Sequence, residues 1–192
     1  MSGAPPDRVS SGRLRELLVE MIDCYSPSGK ESEIVELLAG ALDERGLPVE
    51  RQPVEPGRDN LIVSPAGDAD AELVLVGHVD TVAAYELDGY RCELDGGRAH
   101  GLGAADMKGG CAAIIEAYAA LWHRRGGAAP VALALVVGEE EEGDGSARLV
   151  EDHAFPWALI GEPTGLRPCL RHYGYLEVEL TAAGRRRHAS LA

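Results

Sequence analysis

Three short runs of uninterrupted apolar residues constrain this chain more than anything else in it. They occupy residues 73–76, 131–137 and 157–160. Side chains on a strand alternate between the two faces of a sheet, so a run that is apolar at every position suits a strand covered on both faces. Strands of that kind lie in a sheet between helical layers, and an α/β layer fold is therefore expected. Each run also stops in the same way, at a glycine followed by polar residues. The three stops are Gly77-His78-Val79-Asp80-Thr81, Gly138-Glu139-Glu140 and Gly161-Glu162-Pro163-Thr164. In open α/β sheets, ligands bind just outside the carboxyl ends of the strands, so these polar groups can converge at one sheet edge.

Helical patterns surround the runs. Leu14, Leu17, Leu18, Met21 and Ile22 fall on one face after a capping Ser10 or Ser11. Ser28 and Glu31 have the spacing of a capping box ahead of a second stripe, Ile34, Leu37, Leu38, Ala41 and Leu42, which ends at Gly46. Met107, Cys111, Ile114, Ile115, Tyr118, Leu121 and Trp122 form the clearest helical stripe, and residues 147–152 suit a short helix. Residues 49–54 and 61–63 suit strands, and the turn-rich stretch 89–101 suits a small hairpin. After Pro168 the pattern changes. Tyr173, Tyr175, Glu177 and Glu179 alternate with Leu176, Val178 and Leu180, as on a half-exposed antiparallel strand. A second domain is expected to begin near residues 166–171.

Charge narrows the partners. There are 32 acidic against 18 basic residues, a net charge of −14, which argues against nucleic acid or an anionic membrane and favours cations. No apolar run reaches the roughly 20 residues of a membrane span, and the first 13 residues lack an apolar signal core. Cys24, Cys92, Cys111 and Cys169 are widely spaced, with no C-x-x-C pair. They read as reduced residues of a cytoplasmic protein, and their spacing excludes a cysteine cage for zinc.

Taken singly, each polar group has an ordinary structural reading. His78 can be a satisfied core histidine, and Asp80 a turn residue. Asp106 can be an acid favoured at the start of a helix. Glu139–Glu142 can be a solvated run, Glu162 a turn residue, and His188, after three arginines, a surface group. Together they say more. One histidine and several carboxylates at the ends of neighbouring apolar strands suit divalent ions that take nitrogen and oxygen ligands. Asp80, two residues from His78, can orient the imidazole ring. A spare carboxylate can serve as general base.

Five blocks, in order, resemble the M20 family of dinuclear zinc hydrolases. Gly77-His78-Val79-Asp80-Thr81-Val82 resembles G-H-x-D-x-V, and Gly101 to Gly110, with Asp106-Met107-Lys108-Gly109-Gly110, resembles G-R-G-x-x-D-x-K-G-G. Gly138-Glu139-Glu140, ahead of Gly145-Ser146, resembles the paired-glutamate block. Gly161-Glu162-Pro163-Thr164 resembles G-E-P-T, and Gly184 to Ser190, with His188, resembles a stretch of the family's lid domain. Leu102 departs from the usual arginine and Ala83 from a usual proline.

The resemblance implies a mostly parallel mixed sheet flanked by helices, with residues 1–167 as the N-terminal part of a zinc hydrolase catalytic domain. Residues 168–192 would open a small α+β lid and dimerisation domain. It implies His78, Asp106, Glu140 and Glu162 as metal ligands, with Asp106 bridging two Zn2+ ions, for which Co2+ can substitute. Asp80 would hold the His78 ring, Glu139 would be the general base toward a metal-activated water, and His188 would reach the active site of a partner subunit in a homodimer. The Asp106–Met107 peptide bond would be cis. The glutamate register fits Glu139-Glu140 best, with Glu140-Glu141 as the alternative.

The reaction implied is cleavage of an amide bond in an N-acyl amino acid, of deacetylase or desuccinylase type. A carboxypeptidase or dipeptidase acting on a short peptide is the alternative. The family's second-metal histidine has no counterpart here, so the chain is expected to be the N-terminal portion of such an enzyme. An inactive metal-binding fragment is then a rival. A nucleotide-binding module is disfavoured, because Gly77-His78-Val79-Asp80 occupies the place of its phosphate loop.

Overall fold

The computed structural model describes residues 7–67, 70–84 and 90–171, and near the C-terminus residues 173, 174, 176, 178, 180, 181, 183 and 184. Among the described residues there are four α-helices: α1 (Ser11–Asp23), α2 (Ser32–Glu44), α3 (Gly109–Arg125) and α4 (Asp144–Asp152). Seven strands accompany them: β1 (Glu50–Glu55), β2 (Arg58–Val63), β3 (Leu73–His78), β4 (Glu93–Asp95), β5 (Arg98–His100), β6 (Val131–Val136) and β7 (Trp157–Ile160). The main sheet has the order β1-β2-β6-β3-β7, and β4-β5 form a separate hairpin. β6, β3 and β7 run parallel, while β1 and β2 add an antiparallel edge. The sheet is thus mixed and flanked by helices, as expected.

Period-2 alternation sorts the core into two layers. Leu61, Val63, Leu133, Leu135 and Val137 face a large cluster with Leu17 and Met21 of α1, Leu38 and Leu42 of α2, and Ile115 and Tyr118 of α3. Ile62, Val74, Ala132, Ala134 and Val136 face the other way, toward Leu149 of α4. The continuous apolar character of β6 follows directly, since both of its faces are covered.

The helix ends follow local chemistry in two places. Ser10 accepts the N–H of Arg13 through its hydroxyl, at 3.4 Å, and caps α1. Gly46 follows α2 in the left-handed region, at φ 68°. The capping box expected at Ser28 and Glu31 does not form. α2 begins at Ser32 with no side-chain cap, because both side chains have distant partners. Ser28 donates to Asp80, and Glu31 accepts from Arg58.

Two further expectations are corrected. β7 was expected to be buried on both faces, but Trp157, Leu159 and Ile160 are exposed. Among the described residues β7 lies at the edge of the sheet, paired with β3 alone, so an apolar run by itself did not report its covering. The antiparallel strand expected over 173–180 is not formed at its described residues. Leu176, Val178 and Leu180 are exposed, while Tyr175, Glu177 and Glu179 lie outside the described residues. All four cysteines are free. Among the described residues, no helix is long and apolar enough to cross a membrane.

Candidate metal centre

The parallel ladder brings the strand ends together. β3 pairs with β6 through His78↔Val136 and with β7 through Val76↔Ile160, so the segments after Gly77, Val137 and Ile160 emerge side by side. Asp106 arrives from the irregular turn Ala104–Lys108 that leads into α3. The Asp106–Met107 peptide bond is cis, as expected. Two close contacts hold this turn and α3 against the sheet. A side chain at Gly77 would meet Cys111 Sγ at 2.5 Å, and one at Gly110 would fall on the carbonyl oxygen of Gly161.

His78 is at the centre, with its side chain 1% exposed. Its Nε2 lies 3.1 Å from Asp106 Oδ1, 3.6 Å from Glu162 Oε1 and 3.7 Å from Glu139 Oε2. Its Nδ1 lies 3.1 Å from the backbone oxygen of Asp80 and 3.4 Å from that residue's Oδ1. A proton on Nδ1 directed at Asp80 leaves Nε2 to face the three carboxylates, the arrangement that presents an imidazole nitrogen to a metal. The strand ends at His78, so the backbone carbonyl of Asp80 shares the task of holding the ring with its carboxylate.

That carboxylate is occupied on its other sides. Asp80 is fully buried and accepts from the Ser28 hydroxyl at 2.6 Å, from Glu139 N–H at 3.1 Å and from Glu140 N–H at 3.0 Å. Asp80 therefore joins the His78 strand end to the acidic loop. Glu141 and Glu142 go elsewhere and line a small polar cleft with Ser28, Arg58 and Asp144.

The electrostatics are those of crowded acids around one base. Burial pulls the His78 pKa down, but Asp80, Asp106 and Glu139 outweigh it and bring it to about 9. Burial, reinforced by Asp106 and Glu139, pushes Glu162 up to about 7 against the pull of His78. Glu140 is raised by burial and by Asp106. Asp80 is lowered: its burial is overcome by hydrogen bonds from His78, Ser28 and the Glu140 backbone.

Two sets of donors lie within 4.8 Å of one another, His78 with Asp106 and Glu140, and His78 with Glu139 and Glu162. One imidazole and four carboxylates gather here, with the His78 ring as the basic group beside Asp106, Glu139 and Glu162. Nitrogen and oxygen donors in such a set fit a divalent metal ion. Of the residues singled out from sequence, His78, Asp80, Asp106, Glu139, Glu140 and Glu162 are brought together here. His188 lies outside the described residues.

Several residues around the centre were not anticipated. Lys108, 1% exposed, donates from Nζ to the carbonyls of Met21 at 2.8 Å and Cys24 at 2.9 Å, tying the turn that carries Asp106 to the end of α1. Burial lowers its pKa to about 8. Arg58 reaches both Glu31 and Asp144, and Asn60 lies fully buried under the acidic loop. The one sequence signal for Asn60 was its position at the start of the apolar stretch Leu61-Ile62-Val63.

Comparison with known proteins agrees with this geometry. The chain is 33% identical to acetylornithine deacetylase from Pasteurella multocida over 164 residues, covering 82% of this chain and 43% of that protein. It is 29% identical to succinyl-diaminopimelate desuccinylase from Rhodospirillum centenum over 205 residues, covering 96% and 52%. Its fold is similar to that of a dinuclear metal-binding peptidase of the M20 family from Bacillus subtilis, with a TM-score of 0.52 at 19% identity, covering 73% of this chain and 38% of that one. The chain thus spans about half the length of the curated relatives it matches, or somewhat less. The profile of peptidase family M20/M25/M40 matches residues 74–186, so the stretch holding the three strand ends and the Asp106 turn is the matched stretch, and the chain belongs to that family.

Proposed function

We propose that this chain carries the metal-binding part of a hydrolase that cleaves an amide bond of an N-acyl amino acid, with a deacetylase- or desuccinylase-like substrate. The observation that supports this most is His78 Nε2 facing carboxylates from three other segments within 3.1–3.7 Å. His78, Asp106, Glu140 and Glu162 are the residues that would hold two zinc ions, with cobalt as a substitute. Bound ions of this kind acidify water and polarise a carbonyl. Asp80 orients the His78 ring. Glu139, with its side chain 48% exposed, is open to substrate and is the proposed general base, taking a proton and returning it to the leaving amine. His188 is proposed to stabilise the oxyanion from a partner subunit of a homodimer.

In this reading residues 1–167 belong to the catalytic domain and residues 168–192 open the lid. Four free thiols suit a cytoplasmic setting. A peptidase acting on a short peptide is the second reading, favoured by the match of residues 74–186 to a peptidase family. The test is zinc content after dialysis, beside Asp106→Ala, followed by assay with zinc or cobalt on N-acetyl and N-succinyl amino acids and on dipeptides. Close to two zinc per chain, lost in the variant, is the expected result. A folded chain that retains no zinc overturns the proposal. Turnover of dipeptides alone selects the peptidase.

A further inference from the structure

We propose that Asn60 is a positioning residue for the Glu139 and Glu140 carboxylates, acting by clipping together the two ends of the loop that carries them. The backbone ladder between β2 and β6 runs from Val63↔Leu133 to Leu61↔Leu135. Beyond that pair the side chain of Asn60 takes over the pairing. Its Oδ1 accepts the N–H of Val137 at 3.2 Å, just before the loop, and its Nδ2 donates to the carbonyl of Gly145 at 2.9 Å, just after it. A primary amide offers one acceptor and two donors, and here the second donor is used as well, on Gln52 Oε1 at 2.8 Å. The group is fully buried, so no water competes for these bonds.

The clip fits tightly. A side chain on Gly145 would meet Asn60 Oδ1 at 2.8 Å and collide with Val137. Within the loop, Gly143 N–H closes on the Gly138 carbonyl at 2.7 Å, and Asp144 is held by Arg58 at 2.6 Å. At the tip, the N–H groups of Glu139 and Glu140 sit on Asp80. The base set by Asn60 and the tip set by Asp80 together fix where the two carboxylates stand relative to His78. Asn60 lies 77 residues from Val137 and 85 from Gly145, so its role is invisible in local sequence.

For its functional meaning this inference rests on the proposed metal centre, but one arm of the test does not. Asn60→Leu keeps the approximate shape, removes all three bonds and adds no charge near the acids. Two quantities are read: the cobalt dissociation constant from visible absorption, and amide exchange over the loop in the metal-free chain. Val74→Ala serves as the control, since it loosens the core at the opposite end of β3, where Val74 pairs with Ala132 and Ala158. The expected result is cobalt binding about tenfold or more weaker in Asn60→Leu, the scale for residues that orient ligands. The Glu139 and Glu140 amides should exchange about tenfold or more faster, the sign of a locally opened loop. Val74→Ala should change neither.

Wild-type exchange and wild-type cobalt affinity in a folded Asn60→Leu chain overturn the proposal, as does an equal effect in Val74→Ala. If the unaltered chain takes up no cobalt, the metal reading fails and the exchange arm alone decides on Asn60. If Asn60→Leu does not fold, Gly145→Ala replaces it. That change presses on the clip from the loop side with Asn60 intact, and the same two shifts are expected; their absence overturns the proposal.

Discussion

The carboxylate of Asp80 accepts the backbone N–H of Glu140 at 3.0 Å. The residue that steadies His78 is therefore also the anchor of the acidic loop, and the imidazole and the glutamates are positioned by one group. Asp80→Asn places an NH2 against one of three donors, the Ser28 hydroxyl or the N–H of Glu139 or Glu140. Metal affinity is expected to fall about 10–100-fold. Stability should fall by about 1–3 kcal/mol, the usual cost of a buried polar group left without its partner. Chelator competition and urea unfolding measure the two. An unchanged affinity would remove Asp80 from the centre.

Gly110 and Gly40 make a matched pair. Both lie in helices, but a side chain at Gly110 would strike the Gly161 carbonyl, whereas Gly40 has nothing within 4 Å. Gly40→Ala should stabilise the chain by about 0.5–1 kcal/mol through helix propensity. Gly110→Ala should destabilise it by about 1–3 kcal/mol through overpacking. Gly161 precedes Glu162, so Gly110→Ala should also weaken zinc binding while Gly40→Ala leaves it intact. Thermal melts and zinc titrations of the two variants are the check, and equal melting points would contradict the close approach of α3 to the end of β7.

Lys108→Met tests the tie between α1 and the turn that carries Asp106. The substitution leaves the buried carbonyl of Met21 and the partly buried carbonyl of Cys24 without their donor. A loss of about 1–3 kcal/mol in urea unfolding at neutral pH is expected. No loss would mean that the removed cost of burying an ammonium group offsets both bonds.

The metal-free chain should lose stability as pH rises from about 6.5 to 8. His78 is raised from its ordinary 6.5 to about 9. A group raised in the folded state contributes stability that is complete below its unfolded value and is lost as pH climbs through its folded value. Glu162, raised from 4.5 to about 7, acts in the same direction at lower pH. Lys108, lowered to about 8, acts in the opposite sense above that pH and limits the window. Melting temperatures across the window measure the slope, and saturating zinc should abolish it. At pH 7.5 zinc must displace the His78 proton, so calorimetry in buffers of different ionisation enthalpy should report release of about one proton per chain. Buffer-independent heats would show that His78 is already neutral.

Much of the fold was legible because its signals are local. The spacing of Leu14, Leu17, Leu18, Met21 and Ile22 marks α1, and the uninterrupted apolar run 131–137 reappears as β6, covered on both faces. Gly46 stops α2 where expected. The candidate ligands were legible because each follows a strand or opens a helix. Ser28 and Glu31 show the limit. Their spacing is that of a cap, yet Asp80 and Arg58, 52 and 27 residues away, claim them. A buried carboxylate and a guanidinium form stronger hydrogen bonds than a helix end offers, and sequence spacing carries no information about them.

By itself the sequence determined the period of each element, the strand ends that carry His78, Glu139, Glu140 and Glu162, and the acidic balance that calls for a cation. Periodicity and termination depend on neighbours within a turn or a strand, and neighbours are what a sequence lists. Only the tertiary structure decided that β7 is an exposed edge strand, that Asp80 is shared between His78 and the acidic loop, and that Lys108 and Asn60 brace the turn and the loop from beneath. Those outcomes depend on which buried polar groups meet after the sheet has formed. Nearly every buried donor and acceptor then finds a partner, whatever its distance along the chain.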